Sequence, residues 1–376
     1  MKISVRRSLL HDALSSLARV LPSRATLPAL DQVLLAASDG TARLTATDLD
    51  VGLVITLPAQ VSHEGATTIP AKRIREVLRH SEAGEVVIEV EAGRNLVQVG
   101  SARFELARVE PDDYPRIPSR EGKKSGDLGS LPASDLKAMV AQVSDLTYQS
   151  DMGREALRGV YLHRDDDRLV MVATDGHRFG RATLPVPTGQ DMDPDLVVPP
   201  RAYDFFLRAV PADATVRLNQ VGGHLFLEAD GVFGFARAMD AEYPDYRKII
   251  PQDHPGVWTF DKDALLSVLK RVQVLASDQT RRVHLEFGSE QVKISAGTPD
   301  AGDARDECPV VHESGEIPFS IAVNAGYLIQ IVSRIATSSV RCHMGKDNEP
   351  VLLRPSGSSA DDADFTGIVM PLRIVD

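Results

Sequence analysis

Residues 67–81 read TTIPAKRIREVLRHS, and this stretch predicts a short strand followed by an amphipathic helix. A proline stands in the first turn of the expected helix, where its fixed backbone angle favours helix initiation. The same pattern returns in LVVPPRAYDFFLRAV (196–210) and SIAVNAGYLIQIVSR (320–334). The expected helices open at intervals of 129 and 125 residues, at Pro70, Pro199 and Asn324. Recurrence at such long intervals indicates a chain built from three copies of one unit.

Each copy contains a second amphipathic segment upstream of the first. These segments span 6–21, 133–146 and 261–275, and their apolar residues recur at i, i+3 or i+4 and i+7. A hairpin-like pair of segments follows each of them. The three hairpins align at Ala46, Ala173 and Ala296. Further period-two segments, such as VVIEV and HLFLEAD, predict antiparallel strands, so we predict an α+β fold of helices packed on antiparallel sheets.

Composition shifts place the domain boundaries. The segment SREGKKSGDLGS (119–130) is polar and rich in glycine, as expected of a linker. The first two copies also end alike, in PDDYPRIP (111–118) and AEYPDYRKIIP (241–251). The predicted domains, one for each copy of the repeat, span 1–122, 128–252 and 256–376.

Bulk composition disfavours a membrane protein. Hydrophobic residues make up 43% of the chain and charged residues 25%. No run of about eighteen apolar residues is present that would span a bilayer. The N-terminal MKISVRRSLL lacks the sustained apolar core of a signal peptide, so a cytoplasmic protein is expected.

The distribution of cysteines and acids disfavours metal chemistry. Cys308 and Cys342 stand in no CxxC spacing, so neither a zinc site nor a disulfide framework is expected. The acidic cluster RDDDR (164–168) lies between two strand-like runs and predicts a solvated hairpin turn, and DMDPD (191–195) predicts a loop. No cofactor is expected.

The charge of the chain is unevenly distributed. The formal net charge of −11 by itself disfavours a nucleic-acid partner. Five of the six predicted helical segments nevertheless carry a net positive charge, which the helix propensity of Lys and Arg would partly explain. If all six helices share one face of a curved assembly, they form a cationic surface on an acidic body. Such a surface would attract a phosphate backbone without reading its sequence.

The stretch ATDGHRFG (173–180) raises an enzymatic alternative. In a hydrolase or phosphatase, Asp175 and His177 would form an acid/base pair and Arg178 would clamp an anion. Such a pair needs a nucleophile or a metal ion, and no GxSxG, HExxH, Walker A or GxGxxG motif is present. We therefore expect that the chain is not an enzyme.

Six motifs together identify a family. They are TLPAL near the start, LTATDLD, TTIPAKR, VATDGHRF, YPDYRKIIP and VMPLR near the end. In this order, over residues 1–376, they closely resemble the bacterial DNA polymerase III beta subunits, which are the replicative sliding clamps. The resemblance implies a non-catalytic processivity factor with three similar DNA-clamp domains.

The resemblance also implies an assembly and its partners. Two subunits would join head to tail as a homodimeric ring, with helices lining a hole that duplex DNA threads. The ring would tether the DNA polymerase III alpha subunit, the clamp loader, other polymerases and repair proteins that carry clamp-binding peptides. It would act in the cytoplasm at the nucleoid, with no membrane partner. A monomeric scaffold with the same fold and no ring is the alternative.

In the family that the chain resembles, TDGHRF forms part of a hydrophobic groove for a short linear peptide. Aliphatic residues and the flexible Met370 would accept leucine or phenylalanine anchors. His177, Arg178 and Asn324 would bond the peptide backbone or its acidic end. The groove residues that the resemblance implies are Leu157, Thr174, Gly176, His177, Arg178, Phe179, Pro244, Lys248, Ile249, Asn324, Tyr327, Val351, Val369, Met370, Pro371, Leu372 and Arg373.

Two features depart from the family's pattern near this groove. Phe179 and Lys248 stand where many relatives have Leu and Arg, which would alter the shape of the groove. The chain also continues past VMPLR with Ile374, Val375 and Asp376. This tail would adjoin the groove and narrow it.

The resemblance further implies a dimer interface and DNA contacts. At the interface, apolar residues would supply burial, and opposite charges would favour the pairing of the first copy with the third. The implied interface residues are Arg73, Arg103, Phe104, Leu106, Val274, Leu275, Asp300, Asp303 and Asp306. The DNA contacts that the family implies are Arg24, Lys72, Gln149 and Arg201, and charge alone adds Arg7, Arg75, Arg79 and Lys270.

Overall fold

The computed structural model describes residues 1–118, 126–150, 153–185, 194–251, 255–298, 302–357 and 364–372. The chain forms two compact units. The first unit consists of residues 1–137 and 186–239, and the second of residues 138–185 and 240–376. The second copy of the repeat is therefore divided between the two units.

Six α-helices form in the described part of the chain, one in each segment whose apolar spacing predicts a helix. They are α1 (Arg7–Leu17), α2 (Ala71–Arg79), α3 (Ala133–Val143), α4 (Pro200–Ala209), α5 (Lys262–Val272) and α6 (Ala325–Arg334). The predicted N-cap of α6 is confirmed, because Asn324 Oδ1 accepts a hydrogen bond of 3.1 Å from the Tyr327 backbone N–H. The side chain satisfies a donor that has no partner within the helix.

Short strands make up most of the remaining described chain. In chain order they are β1 (Lys2–Arg6), β2 (Val33–Ser38), β3 (Thr41–Thr47), β4 (Val51–Pro58), β5 (Gln60–His63), β6 (Gly65–Ile69), β7 (Glu85–Glu91), β8 (Arg94–Val99), β9 (Ala102–Leu106), β10 (Gly126–Pro132), β11 (Val160–Asp165), β12 (Arg168–Thr174), β13 (Arg178–Pro185), β14 (Asp195–Val198), β15 (Thr215–Val221), β16 (His224–Ala229), β17 (Val232–Arg237), β18 (Gly256–Asp261), β19 (Arg282–Phe287), β20 (Gln291–Thr298), β21 (Gly302–Ser314), β22 (Phe319–Asn324), β23 (Ser339–Met344), β24 (Val351–Pro355) and β25 (Phe365–Val369). The strand pairs within each unit are antiparallel, as the period-two segments predict.

The first unit contains two sheets. A five-stranded sheet has the order β5-β1-β7-β8-β9, and an eight-stranded sheet has the order β10-β15-β16-β17-β4-β3-β2-β6. In the eight-stranded sheet, β4 of the first copy pairs with β17 of the second, with Ile55 opposite Val232. Among the described residues β9, which carries Phe104 and Leu106, has a single neighbouring strand, β8, and is therefore an edge strand.

The second unit is organised on a long run of paired strands. Their order is β11-β12-β13-β25-β24-β23-β18-β21-β20-β19-β22. Strand β13 of the second copy pairs with β25 of the third, with Arg178 opposite Val369. The predicted hairpin turn in RDDDR is also confirmed, because Asp165 of β11 lies opposite Arg168 of β12. Residues 191–193 of DMDPD lie outside the described residues.

The aligned alanines of the three predicted hairpins lie on paired strands and are buried. Ala46 and Ala173 are fully buried, and Ala296 is 5% exposed. Cys308 and Cys342 are buried free thiols. Burial raises their pKa values to about 11 and about 12, so both are protonated at neutral pH. Within the described ranges no helix is long and apolar enough to cross a membrane, and no group of His, Cys, Asp and Glu would hold a metal ion.

Candidate functional site

A five-residue turn, Thr174–Arg178, joins β12 to β13 in the second unit. The Thr174 hydroxyl donates a hydrogen bond of 2.7 Å to the Arg178 carbonyl and accepts one of 3.0 Å from the Gly176 N–H. Asp175 Oδ1 accepts from the backbone N–H groups of His177 and Arg178 at 2.9 and 3.0 Å. Gly176 has φ +91°, a left-handed conformation that favours glycine. The side chains of Thr174 and Asp175 therefore fix the shape of the turn.

The charged side chains of the turn are paired with each other. Arg178 Nε lies 2.9 Å from Asp175 Oδ2, and only 10% and 13% of the two side chains are exposed. The Arg178 guanidinium also lies over the Tyr327 ring, 4.9 Å from its centroid. This cation–π contact holds the turn against the first turn of α6, and the ion pair stabilises the turn itself. Arg178 thus positions the turn, and its predicted part in peptide binding stays a prediction.

The end of β25 lies against both the turn and α6. The Met370 N–H donates a hydrogen bond of 2.8 Å to the His177 carbonyl, and the Leu372 N–H donates one of 2.7 Å to Ala322. Pro371 forms an isolated bridge with Val323, which precedes the cap of α6. Residues from the second and third copies of the repeat therefore meet at the N-terminal end of helix α6.

A buried apolar layer lies beneath these segments. Val369 is fully buried between Arg178 and Val351 in the sheet, and Val351 is 3% exposed. Phe179 is 1% exposed and packs in a cluster with Val170, Val172, Tyr246, Leu352 and Ile368. This layer is the floor of a surface whose upper residues are exposed.

The exposed residues of the surface are apolar and aromatic. Met370 is 37% exposed and Ile249 is 42% exposed. The exposed His177 ring lies nearly parallel to the Tyr327 ring, at an interplanar angle of 20° and a centroid distance of 6.1 Å. Pro244 is exposed, and Lys248 pairs with Asp245 at 3.4 Å while 80% of its side chain remains exposed. We define the groove surface as these exposed residues together with the floor.

The structure brings most of the predicted groove residues onto this surface. Tyr246, in the same short helical turn as Lys248 and Ile249, packs on Phe179 with ring centroids 5.7 Å apart. Leu157 and Thr174 are each 8% exposed. Arg373 and the tail residues 374–376 lie outside the described residues. The predicted peptide contacts are not tested by these positions and stay a prediction.

The same geometry disfavours an acid/base pair. The Asp175 carboxylate accepts from two backbone N–H groups and from Arg178, so its oxygens are engaged in holding the turn. It also has its charge partner in Arg178 rather than in His177. A general base needs an oxygen within reach of a substrate proton, and this carboxylate is turned toward the protein.

An aromatic cluster of Tyr161, His163, Phe179, Tyr243 and Tyr246 lies beneath the groove surface. His163 Nδ1 lies 3.0 Å from the Arg164 carbonyl, which requires an N–H there, and Nε2 then accepts from the Tyr246 hydroxyl at 2.8 Å. Burial lowers the pKa of His163, and the nearby Arg247 and Arg181 lower it further. The hydrogen bond to the Arg164 carbonyl and the charge of Asp165 raise it, but the net shift is downward.

Acidification is therefore expected to destabilise the second unit through His163. The folded-state pKa lies below the ordinary value of 6.5, so the unfolded chain binds a proton first as the pH falls. The contribution of His163 to the free energy of unfolding is complete above pH 6.5. It is lost as the pH falls from 6.5 to the lowered pKa, at up to about 1.4 kcal/mol per pH unit. Thermal unfolding across this range should show a smaller pH dependence in His163→Gln than in the unsubstituted chain. Equal pH dependence of the two proteins would contradict this assignment.

Comparisons with known proteins agree with the motifs and the fold. Three family models match consecutive stretches of the chain, and they describe the N-terminal, central and C-terminal domains of the DNA polymerase III beta subunit. The matched residues are 1–118, 130–245 and 247–373. The chain belongs to the DNA polymerase III beta subunit family. Members are beta sliding clamps, so the chain is a processivity factor and a non-catalytic subunit whose partners are DNA and the polymerase.

Full-length relatives support this assignment. The chain is 27% identical to the beta sliding clamp of Pseudomonas putida strain KT2440 over 377 residues, and 27% identical to that of Escherichia coli K12 over 379 residues. Both matches cover 100% of each chain. A solved sliding clamp from Pseudomonas aeruginosa superimposes with a TM-score of 0.92 at 26% identity, again over 100% of each chain. The predicted family and the predicted three-domain α+β clamp fold are confirmed.

Several of the DNA contacts predicted for this beta clamp already have partners within the chain. Arg201 Nη2 lies 3.1 Å from Asp48 and 3.6 Å from Asp50. Lys72 pairs with Asp31 at 3.3 Å. A phosphate that binds Arg201 or Lys72 would have to compete with these carboxylates.

The remaining predicted DNA contacts divide into two groups. Arg7 donates to the Leu78 carbonyl at 3.0 Å and so caps the last turn of α2, and Arg79 pairs with Glu76. Gln149 donates to the Thr147 carbonyl at 2.9 Å. Of the other predicted contacts, Arg24 and Lys270 are exposed and have no ion pair among the described residues, and Arg75 is half-buried.

The predicted interface residues of this beta clamp lie in both units. In the first unit, Phe104 and Leu106 are half-buried on β9, with exposed Arg73 and Arg103 on α2 and β9. In the second, Val274 is 74% exposed and Leu275 is half-buried, in the short turn that follows α5. Asp303 is exposed, Asp306 pairs with Arg271 at 2.6 Å, and Asp300 lies outside the described residues.

Sequence reasoning missed one residue of the site, Arg154. Arg154 Nη1 lies 3.4 Å from the Asp175 carbonyl and packs where a side chain at Gly176 would project. In the first unit, Thr47 and Asp48 form the same turn as Thr174 and Asp175, because the corresponding hydroxyl and carboxylate bonds recur there. The predicted alignment of the two hairpins at Ala46 and Ala173 therefore extends to the hydrogen bonds of the turns.

Proposed function

We propose that two copies of the chain join head to tail in a ring that encircles duplex DNA and that binds partner peptides on the groove surface. The partners are the DNA polymerase III alpha subunit, the clamp loader, other polymerases and repair proteins. The ring acts at the nucleoid in the cytoplasm, where these partners and the chromosome are found. The predicted domains 1–122, 128–252 and 256–376 are the units that repeat around it.

The groove surface is the observation that carries this proposal. Met370 and Ile249 are large apolar residues, and both are exposed above a fully buried floor. Exposed apolar residues beside a preformed aromatic shelf, here His177 and Tyr327, are typical of sites that receive apolar peptide anchors. Met370 is unbranched and flexible, so it adapts to either a leucine or a phenylalanine.

The cationic helices support the DNA part of the proposal. Lys and Arg on the helices would contact phosphates, which carry no sequence information, so binding is independent of sequence. The chain as a whole is acidic, at −11, and its affinity for DNA is expected to be weak and sensitive to salt. Retention would then depend on the closed ring rather than on affinity.

The edge strand β9 supports the head-to-tail contact. In the part of the chain that the structure describes, one edge of β9 has no pairing strand, so its backbone groups and the half-buried Phe104 and Leu106 face water unless a partner covers them. The turn with Val274, 74% exposed, offers apolar surface on another part of the chain. Two different patches that meet give a head-to-tail interface, which closes into a ring.

Retention on circular DNA tests the proposed function. After loading onto nicked circular DNA with its clamp loader, the chain is expected to elute with the DNA in gel filtration, even in salt that abolishes phosphate contacts. Cutting the circle should release nearly all of it, because a ring slides off an open end. Equal retention on circular and linear DNA would contradict encirclement.

A further inference from the structure

Two stacked rings form part of the buried floor of the groove surface. Phe179 is 1% exposed and Tyr246 is 3% exposed. Their ring centroids lie 5.7 Å apart, at an interplanar angle of 29°. Four aliphatic residues share a cluster with these rings, namely Val170, Val172, Leu352 and Ile368. Because protein interiors are packed about as densely as organic crystals, a ring pair buried in this way leaves little room for a further side chain.

The ring pair adjoins the exposed residues of the groove surface. Phe179 lies opposite Ile368 where β13 pairs with β25. Two residues away on each strand, the Met370 N–H donates its hydrogen bond to the His177 carbonyl. Residues that are two positions apart on a strand point to the same face of a sheet. An apolar side chain that rests on Met370 therefore has the Phe179 ring beside it in the floor.

The tyrosine of the pair also determines the position of Ile249. Tyr246 begins the short helical turn that carries Ile249, which is 42% exposed. The Tyr246 hydroxyl donates to His163 Nε2 at 2.8 Å, and the Arg247 guanidinium lies over the Tyr246 ring, 5.3 Å from its centroid. Tyr246 is thus held by three neighbours, of which Phe179 is one. A change of side-chain size at Phe179 would therefore reach Ile249 through Tyr246.

We propose that Phe179 limits the size of the apolar anchor that the groove surface accepts, an inference that rests on the proposed function. A leucine or a single phenyl ring fits on Met370 and Ile249 above the filled floor. The bicyclic indole of tryptophan needs more depth, and the floor does not yield because Phe179 and Tyr246 are already in contact. The partner peptides of this chain therefore carry leucine or phenylalanine at the anchor that adjoins Phe179, and tryptophan is rejected there.

The selectivity between peptides tests this size limit. Tryptophan replaces each of the two apolar anchors of a fluorescent peptide in turn, and the ratio of the new Kd to the original Kd is measured by anisotropy. We expect one of the two replacements to raise the Kd for the unsubstituted chain about tenfold. Phe179→Leu removes the ring and opens the floor, so the same ratio should fall to about one. Phe179→Met keeps more of the volume and should give an intermediate ratio.

Matched variants separate selectivity from stability. Phe226→Leu removes the same ring from a site in the first unit that is also 1% exposed, and it should keep the original ratio. Tyr246→Phe retains both rings and should keep the ratio as well, even where both Kd values rise. If Phe179→Leu does not fold, Phe179→Met decides the question. An unchanged ratio in the Phe179 variants, or an equal fall in Phe226→Leu, would overturn the proposal.

The size limit and the proposed function fail in different ways. If the original peptide does not bind the unsubstituted chain, the groove surface is not a peptide site and the proposed function fails. If the original peptide binds and neither tryptophan replacement weakens it, only the size limit fails.

Discussion

Met370→Glu is expected to abolish most of the affinity for partner peptides. Met370 borders the groove surface with 37% exposure, so the substitution should cost the fold little, within about 0.5 kcal/mol. A carboxylate at this point would have to be desolvated against an incoming apolar anchor. We expect the Kd for a fluorescent peptide with leucine and phenylalanine anchors to rise about thirtyfold, or about 2 kcal/mol, as for a central interface residue.

Two variants control this measurement. Val311→Glu introduces the same charge at a residue of the same unit that is 63% exposed and lies outside the groove surface, and it should leave the Kd unchanged. Met370→Leu retains an apolar side chain and should bind the peptide nearly as well as the unsubstituted chain. If Met370→Glu and Val311→Glu bind alike, the peptide does not dock on this surface.

Phe104→Asp is expected to convert the proposed ring into single subunits. The side chain lies half-buried on the edge strand β9, so it has water on one side in a single copy of the chain. In the proposed dimer an aspartate there would be buried without a partner, which costs several kcal/mol. The dimer dissociation constant should rise at least about a hundredfold, or about 3 kcal/mol, measured by sedimentation velocity over a range of concentrations.

The control for this variant is Arg43→Asp. Arg43 is exposed on β3 of the eight-stranded sheet, so the substitution changes the surface charge of the same unit without touching β9. It should sediment as the unsubstituted protein does. A single-subunit mass for the unsubstituted chain at all micromolar concentrations would instead favour the monomeric scaffold and remove the basis of the proposed ring.

Local pattern was enough to predict the elements of this fold. Helix and strand periodicities depend on residues a few positions apart, so the six helices and the hairpin around Ala173 were readable from the sequence. The cap at Asn324 was predicted for the same reason, whereas the place of Phe104 on an edge strand was implied only by the resemblance to the family. Bounds differed by a few residues, as for the segment 6–21, which forms a helix over Arg7–Leu17.

The roles of individual charged residues were much less predictable. The motif TDGHRF did not reveal that Arg178 pairs with Asp175 and lies over the Tyr327 ring. Charge alone predicted a DNA contact at Arg7, and this side chain caps α2 through the Leu78 carbonyl. A charge in a sequence does not say which partner satisfies it, because that partner is often distant along the chain.

Repeats, periodicity and motifs are properties of short segments, so the order of residues was sufficient to establish a threefold repeat of helices and antiparallel strands in the beta clamp family. The folded chain was needed to learn that β13 pairs with β25, which places Met370 beside His177, and that Phe179 stacks on Tyr246. Strand pairing and helix packing are selected by the burial of apolar surface over the whole unit. Residues far apart along the chain become neighbours only through that burial.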